Sequence, residues 1–127
     1  MRYMGIDYGT KRVGVAVSDA TGAMAFPKTV LKNDDKLLSE LSELVDEYEV
    51  KAVVIGHSID KNDAPNQIQS AINEFIGDLT MQVGLPVHLE PEQYTTQAAL
   101  RIQGRNDQTD ASAAALILNS FLQRNHS

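Results

Sequence analysis

The chain has 127 residues, 43% of them apolar, with no cysteine and a formal charge of −6. That length fits one domain, 1–127, with an ordinary hydrophobic core. The composition excludes disulfides, thiolate zinc sites and a cysteine nucleophile, and no apolar run reaches the roughly 18–20 residues that a membrane span needs. Met1 to Gly5 has no signal-peptide pattern, so the expected compartment is the cytoplasm, with no membrane partner.

In chain order, Arg2 to Asp7 reads as a short strand and Arg12 to Asp19 as a second, since Val13, Val15 and Val17 alternate with Gly14, Ala16 and Ser18. Asp19-Ala20-Thr21-Gly22 is turn chemistry, and a third strand is expected within Ala23 to Leu31. Leu37, Leu38, Leu41, Leu44, Val45 and Tyr48 then recur at helical spacing, with Asn33 or Asp34 placed to cap the start. Lys51 to Ile55 is a β-branched run ended by Gly56, the mark of a buried strand. A second helix follows, with Asp63 as candidate cap, Pro65 in its first turn and Ile68, Ala71, Ile72, Phe75, Ile76 and Leu79 on one face. Gly84 and Pro86 end it before a fifth strand at Pro86 to Glu90. Thr95 to Gln103 reads as a short helix, and about Asp110 to Gln123 as a last helix, apolar nearly all round and central to the core. The opening strands suggest an antiparallel meander; helices between the later ones require crossovers and favour parallel pairing. The expected fold is one mixed α/β domain.

The charge is unevenly placed. Residues 34–49 hold seven acids against Lys36 alone, and the rest of the chain balances ten acids with ten bases. A nucleic-acid enzyme draws affinity from cations, so this acidic face is expected to point away from any substrate site.

Three places carry candidate chemistry. Asp7 ends the first strand beside Gly9, where a carboxylate can serve as a hard oxygen ligand or simply bond local turn amides. Glu90 and Glu92 flank Pro91 and share a face if the strand alternation survives the proline. Asp110 opens the last helix, as a cap or as a metal ligand kept ionised by the helix N-terminus. Spacing alone does not show that these sites converge.

Met4-Gly-Ile-Asp-Tyr-Gly-Thr-Lys-Arg-Val-Gly-Val-Ala-Val-Ser-Asp19 closely resembles the opening of the YqgF family, also called RuvX, Holliday-junction resolvases linked to pre-16S rRNA processing. The similarity continues through Ala52-Val-Val-Ile-Gly56, Gly84-Leu-Pro-Val87, Thr95-Thr96 and Asp110-Ala-Ser-Ala-Ala-Ala-Leu-Ile-Leu118. The resemblance implies an RNase H-like fold, a five-stranded mixed sheet with three antiparallel strands and then parallel ones, flanked by helices. It also implies an acidic triad at Asp7, Glu92 and Asp110. This chain departs from the family in reading Pro91-Glu92-Gln93 where Asp-Glu-Arg is usual. It has His57-Ser58-Ile59-Asp60 after Gly56, and only Arg101 and Arg105 where a basic run is usual.

The implied activity is a metal-dependent nuclease acting on pre-rRNA or branched DNA. Three neighbouring carboxylates repel one another unless a cation joins them, and oxygen-only ligands point to Mg²⁺ or Mn²⁺. Asp7 is the expected bridging ligand, with Glu92 and Asp110 each holding a metal, all within roughly 4 to 8 Å of a common point. Lys11, Arg12, Arg101 and Arg105 are the candidate substrate contacts; Lys11 and Arg12 are equally plausible as ordinary hairpin charges, and His57, within reach of the site from the end of strand four, fits a surface loop better. A monomer suits single-strand trimming, whereas a homodimer suits a symmetric junction. Two other classes are an actin-like ATPase fragment, disfavoured because no second Asp-x-Gly motif exists, and a non-catalytic RNase H-like module acting through protein contacts.

Overall fold

The alternation of Val13, Val15 and Val17 with small residues lets one strand bury both faces, and the neighbouring strand does the same with Met4, Ile6 and Tyr8 against Gly5 and Asp7. The computed structural model describes residues 1–9, 11–57, 65–90 and 107–125, with side chains described except at 57, 65–69, 107–111, 124 and 125. The elements are β1 (Arg2–Tyr8), β2 (Arg12–Ser18), β3 (Ala25–Lys32), α1 (Leu37–Tyr48), β4 (Val50–His57), α2 (Pro65–Val83), β5 (Val87–Leu89) and α3 (Asp107–Asn125). The strands form one sheet in the order β3-β2-β1-β4-β5. β1 pairs antiparallel with β2, and β2 with β3; β4 runs parallel to β1, and β5 to β4. The expected meander followed by parallel strands is therefore what forms. The expected short helix at Thr95 to Gln103 and the Asp63 cap lie outside the described residues.

The sheet divides the core in two. On one face Met4, Ile6, Tyr8, Val53 and Ile55 pack with Leu37, Leu41 and Val45 of α1 and Ile72, Phe75 and Leu79 of α2. On the other, Ala16 and Val54 pack with Ala114, Ala115, Ile117, Leu118 and Leu122 of α3. Each fully buried Leu or Ile contributes roughly 1.5–3 kcal/mol.

Two helix starts differ from expectation. The cap position of α1 is Lys36, with no side-chain cap. Asp34 acts one step earlier, its carboxylate accepting the Lys36 N–H at 3.0 Å, while Asn33 donates its amide to the Gly9 carbonyl at 2.8 Å. The turn after β3 thus uses both side chains before the helix begins. α3 begins at Asp107, so Asp110 lies within its first turn instead of opening it. The end of α2 follows expectation: Gly84 takes φ +66 and donates its N–H to the Thr80 carbonyl at 2.9 Å.

At the β2–β3 turn the Asp19 carboxylate accepts the Ala23 N–H at 2.8 Å, the Thr21 hydroxyl at 2.9 Å and the Met24 N–H at 3.3 Å. These bonds, the Ala23 amide foremost, hold its pKa below the ordinary 3.8. A depressed carboxylate pKa stabilises the fold above the unfolded value, and that contribution is lost as pH falls through the folded one. Asp19→Ala should therefore lower the thermal midpoint near neutral pH, and the gap to wild type should close as melts are taken below pH 3.8.

β1 and α3 meet at Gly5, where a Cβ would lie 2.7 Å from Leu118 Cβ and 2.8 Å from the Ala114 carbonyl oxygen. Neither atom is the free end of a flexible chain. Gly5→Ala should destabilise by about 3 kcal/mol, the upper part of the overpacking range, seen in urea melts as a lower midpoint at unchanged m.

Candidate active site

From β1 the chain continues to β2 on one side, and from its parallel neighbour β4 it continues to β5 on the other. Open α/β sheets bind ligands at the carboxyl ends of strands flanking such a switch point. Asp7 stands at that end of β1. Alternation puts it on the face of Gly5, the α3 face, and its cross-strand partners are Gly14 and Gly56. No neighbouring strand therefore sets a side chain directly beside the Asp7 carboxylate.

Glu90 belongs to the same row. Its N–H donates to the Ile55 carbonyl at 2.8 Å, extending the β4–β5 ladder one residue past Leu89 and setting Glu90 beside Gly56. His88, two residues earlier, has its ring 5.0 Å from that of Phe121 on α3, which assigns the α3 face to Glu90 as well. Asp7, Gly56 and Glu90 then span three adjacent strands, with roughly 10 Å between the outer Cα atoms. Both acids are 1% exposed. Burying charge is costly unless it is compensated.

α3 crosses this face antiparallel to β1. Phe121 meets Tyr3 at 5.9 Å, and Leu118 and Ala114 lie over Gly5, so the helix N-terminus is directed toward the Asp7 end of the strand. Asp110 is four residues, about 6 Å of helix rise, ahead of Ala114 on the same stripe, close to the roughly 6.7 Å that separates Asp7 from Gly5 along the strand.

Of the sequence-expected residues, Asp7 is where the motif put it. Asp110 has its backbone in the first turn of α3; its side chain, the side chain of His57, and all of Glu92, Arg101 and Arg105 lie outside the described residues. Among the described residues no three His, Asp or Glu side chains gather round one point. Lys11 is exposed and Arg12 half-buried at the start of β2. The sequence offers Glu90 beside Glu92, but the triad implied by the resemblance takes Glu92 alone; alternation from His88 puts Glu90 on this face. The acidic helix α1 packs on the Met4, Ile6 and Tyr8 face, opposite Asp7, as expected of a segment that would repel phosphate.

Residues 1–124 match the family model RuvX, described as a Holliday junction resolvase. The chain belongs to the RuvX family. Relatives named "Putative pre-16S rRNA nuclease" include one from Oleidesulfovibrio alaskensis, 35% identical, covering 96% of this chain and 92% of its own length. Another, from Nitratidesulfovibrio vulgaris, is 36% identical and covers 96% and 93%. A third, from Rickettsia bellii, is 31% identical and covers 92% and 82%. In fold the chain is similar to Thermus thermophilus RuvC solved with a Holliday junction substrate, with TM-score 0.65, 15% identity and 100% and 96% coverage. It is also similar to the Fowlpox virus resolvase solved with Holliday junction DNA, with TM-score 0.57, 14% identity and full coverage of both chains. These likenesses establish the RNase H-like fold expected of a RuvX chain.

A Cβ on Gly56, between the two buried acids, would lie 2.8 Å from Ile117 Cδ1 and 3.1 Å from its Cγ1 and Cγ2. Because a side chain can yield where a carbonyl cannot, Gly56→Ala should cost about 1–2 kcal/mol, less than Gly5→Ala in the same urea melts.

Proposed function

We propose that this RuvX chain is a metal-dependent nuclease that hydrolyses phosphodiester bonds in structured nucleic acid, either precursor 16S rRNA or a Holliday junction. The observation that carries the reading is the pair of buried carboxylates, Asp7 and Glu90, on one face at the carboxyl ends of the parallel strands, with the N-terminal end of α3 directed to the same edge. The family match and the names of the relatives favour the same class. The chain works as one domain, 1–127, in the cytoplasm; no helix among the described residues is long and apolar enough to cross a membrane.

The donors fit a hard divalent cation. They are carboxylates, with no thiolate anywhere in the chain, and buried acids gathered at one edge stay ionised most readily beside positive charge. Asp7, Glu92 and Asp110 would hold Mg²⁺ or Mn²⁺, with Glu90 next in the row. Bound there, the ion would lower the pKa of a water and stabilise charge on the leaving oxygen. Asp7 is 1% exposed, so its charge is costly to bury, and a bound cation would offset that cost. Lys11, Arg12, Arg101 and Arg105 would neutralise substrate phosphates. A monomer would suffice for single-strand RNA trimming, whereas paired cuts in a symmetric junction would need a homodimer.

The Pro91-Glu92-Gln93 departure favours a second reading, a module that has lost catalysis and works through protein contacts. Asp7→Asn separates the two. In the nuclease it should reduce cleavage of junction DNA or single-stranded RNA by at least about a hundredfold. Its melting temperature without metal should equal or exceed wild type, because a buried acid near others becomes neutral. Mn²⁺ should raise the midpoint of wild type more than that of the variant. Cleavage by Asp7→Asn at the wild-type rate rules out this mechanism; absence of a Mn²⁺ effect on wild type favours the non-catalytic module.

A further inference from the structure

Arg12 and Lys32 are direct cross-strand partners on β2 and β3. Paired residues share a face, and two observations identify which. Arg12 shares its face with Gly14 and Ala16, of which Gly14 pairs with Asp7 and Ala16 packs against α3. Leu31, the neighbour of Lys32, packs on the opposite side with the Met4 and Ile6 cluster. Both cations therefore stand on the face of the sheet that carries Asp7. Like charges directly opposite on adjacent strands repel, and an anion seated between them would relieve that repulsion. Lys32 is exposed, and a shallow cavity of about 600 Å³ lined by Lys11, Arg12, Lys32 and Asn33 opens beside it. Asp34 also lines this cavity, with its carboxylate engaged by the Lys36 N–H.

The spacing suits a nucleic-acid backbone. Arg12 lies one strand across from Asp7 and two residues beyond its partner Gly14, which puts the Cα atoms roughly 8 Å apart. We propose that Arg12 and Lys32 form a two-cation seat for the backbone phosphate next to the one cleaved at Asp7, so that the substrate strand crosses the sheet from the β5 end toward β3. Lys32 thereby supplies positive charge in a chain whose later basic run is reduced to Arg101 and Arg105. The seat reads phosphodiester, not sequence, and takes DNA or RNA. It rests on the nuclease reading but is tested by binding instead of cleavage.

The test measures binding of a fluorescent four-way DNA junction and of a single-stranded RNA by the full chain in EDTA, across a salt series. Lys32→Gln should weaken binding roughly three- to tenfold near 0.1 M salt and lower the slope of log K against log salt by about one. Lys32→Arg should restore both. Lys51→Gln, at the far end of β4 from Gly56, should change neither. The thermal midpoint of Lys32→Gln should equal or exceed wild type, because a like-charge pair is relieved. Unchanged affinity and slope in Lys32→Gln, or equal losses in Lys51→Gln, overturn the seat while leaving the nuclease reading in place. Failure of wild type to bind either probe overturns both, and loss on only one probe supports the seat and identifies its nucleic acid.

Discussion

The contact of Gly5 with the Ala114 and Leu118 turn of α3 sets how closely the last helix can approach the central strand. With no Cβ at Gly5, the Ala114 carbonyl and Leu118 come down onto the backbone of β1. Gly56 does the same for Ile117 on the neighbouring strand. These two close approaches give α3 its height and direction, and its direction turns its N-terminal end toward Asp7. A bulkier residue at either position would lift the helix, and the edge that holds Asp7 and Glu90 would open.

The sheet also separates charge. α1, which brings most of the local acidity, is held on the far face by Leu37, Leu41 and Val45. One layer of apolar side chains and the sheet itself lie between the carboxylates of α1 and the Asp7 face, whereas Asp34, which precedes the helix, lines the cavity beside Arg12 and Lys32. A net charge of −6 is then compatible with binding a polyanion, because the field near a site depends on where charges sit and is screened beyond about 10 Å in ordinary salt. On the Asp7 face the sheet edge presents Arg12 and Lys32, so substrate would meet cations on approaching the buried acids.

Glu90 shows how a family pattern and a strand pattern can direct attention to different residues. The motif singles out Glu92, beyond the proline. The ladder continues through Glu90, whose N–H bonds to Ile55 and whose side chain is buried in the same row as Asp7. Pro91, which cannot donate to the ladder, follows directly. The acid nearest the described sheet is therefore one that the usual motif does not mark.

The sequence by itself determined the five strands, the three described helices and their order, because alternation, helical periodicity and turn residues are local signals that survive without neighbours. It also carried Asp7, through a long motif, and the change from antiparallel to parallel pairing, since a hairpin and a crossover need different connection lengths. Helix starts were less legible: Asp34 and Asn33 have cap chemistry, but one holds a turn and the other reaches Gly9, a partner far away in sequence. Only the tertiary structure decided which face each residue serves. Register set Asp7 between two glycines, aligned Glu90 with Gly56 and put Arg12 opposite Lys32. Each of these pairings joins residues distant along the chain, and the energy that selects them comes from packing α3 against the sheet, which no local pattern encodes.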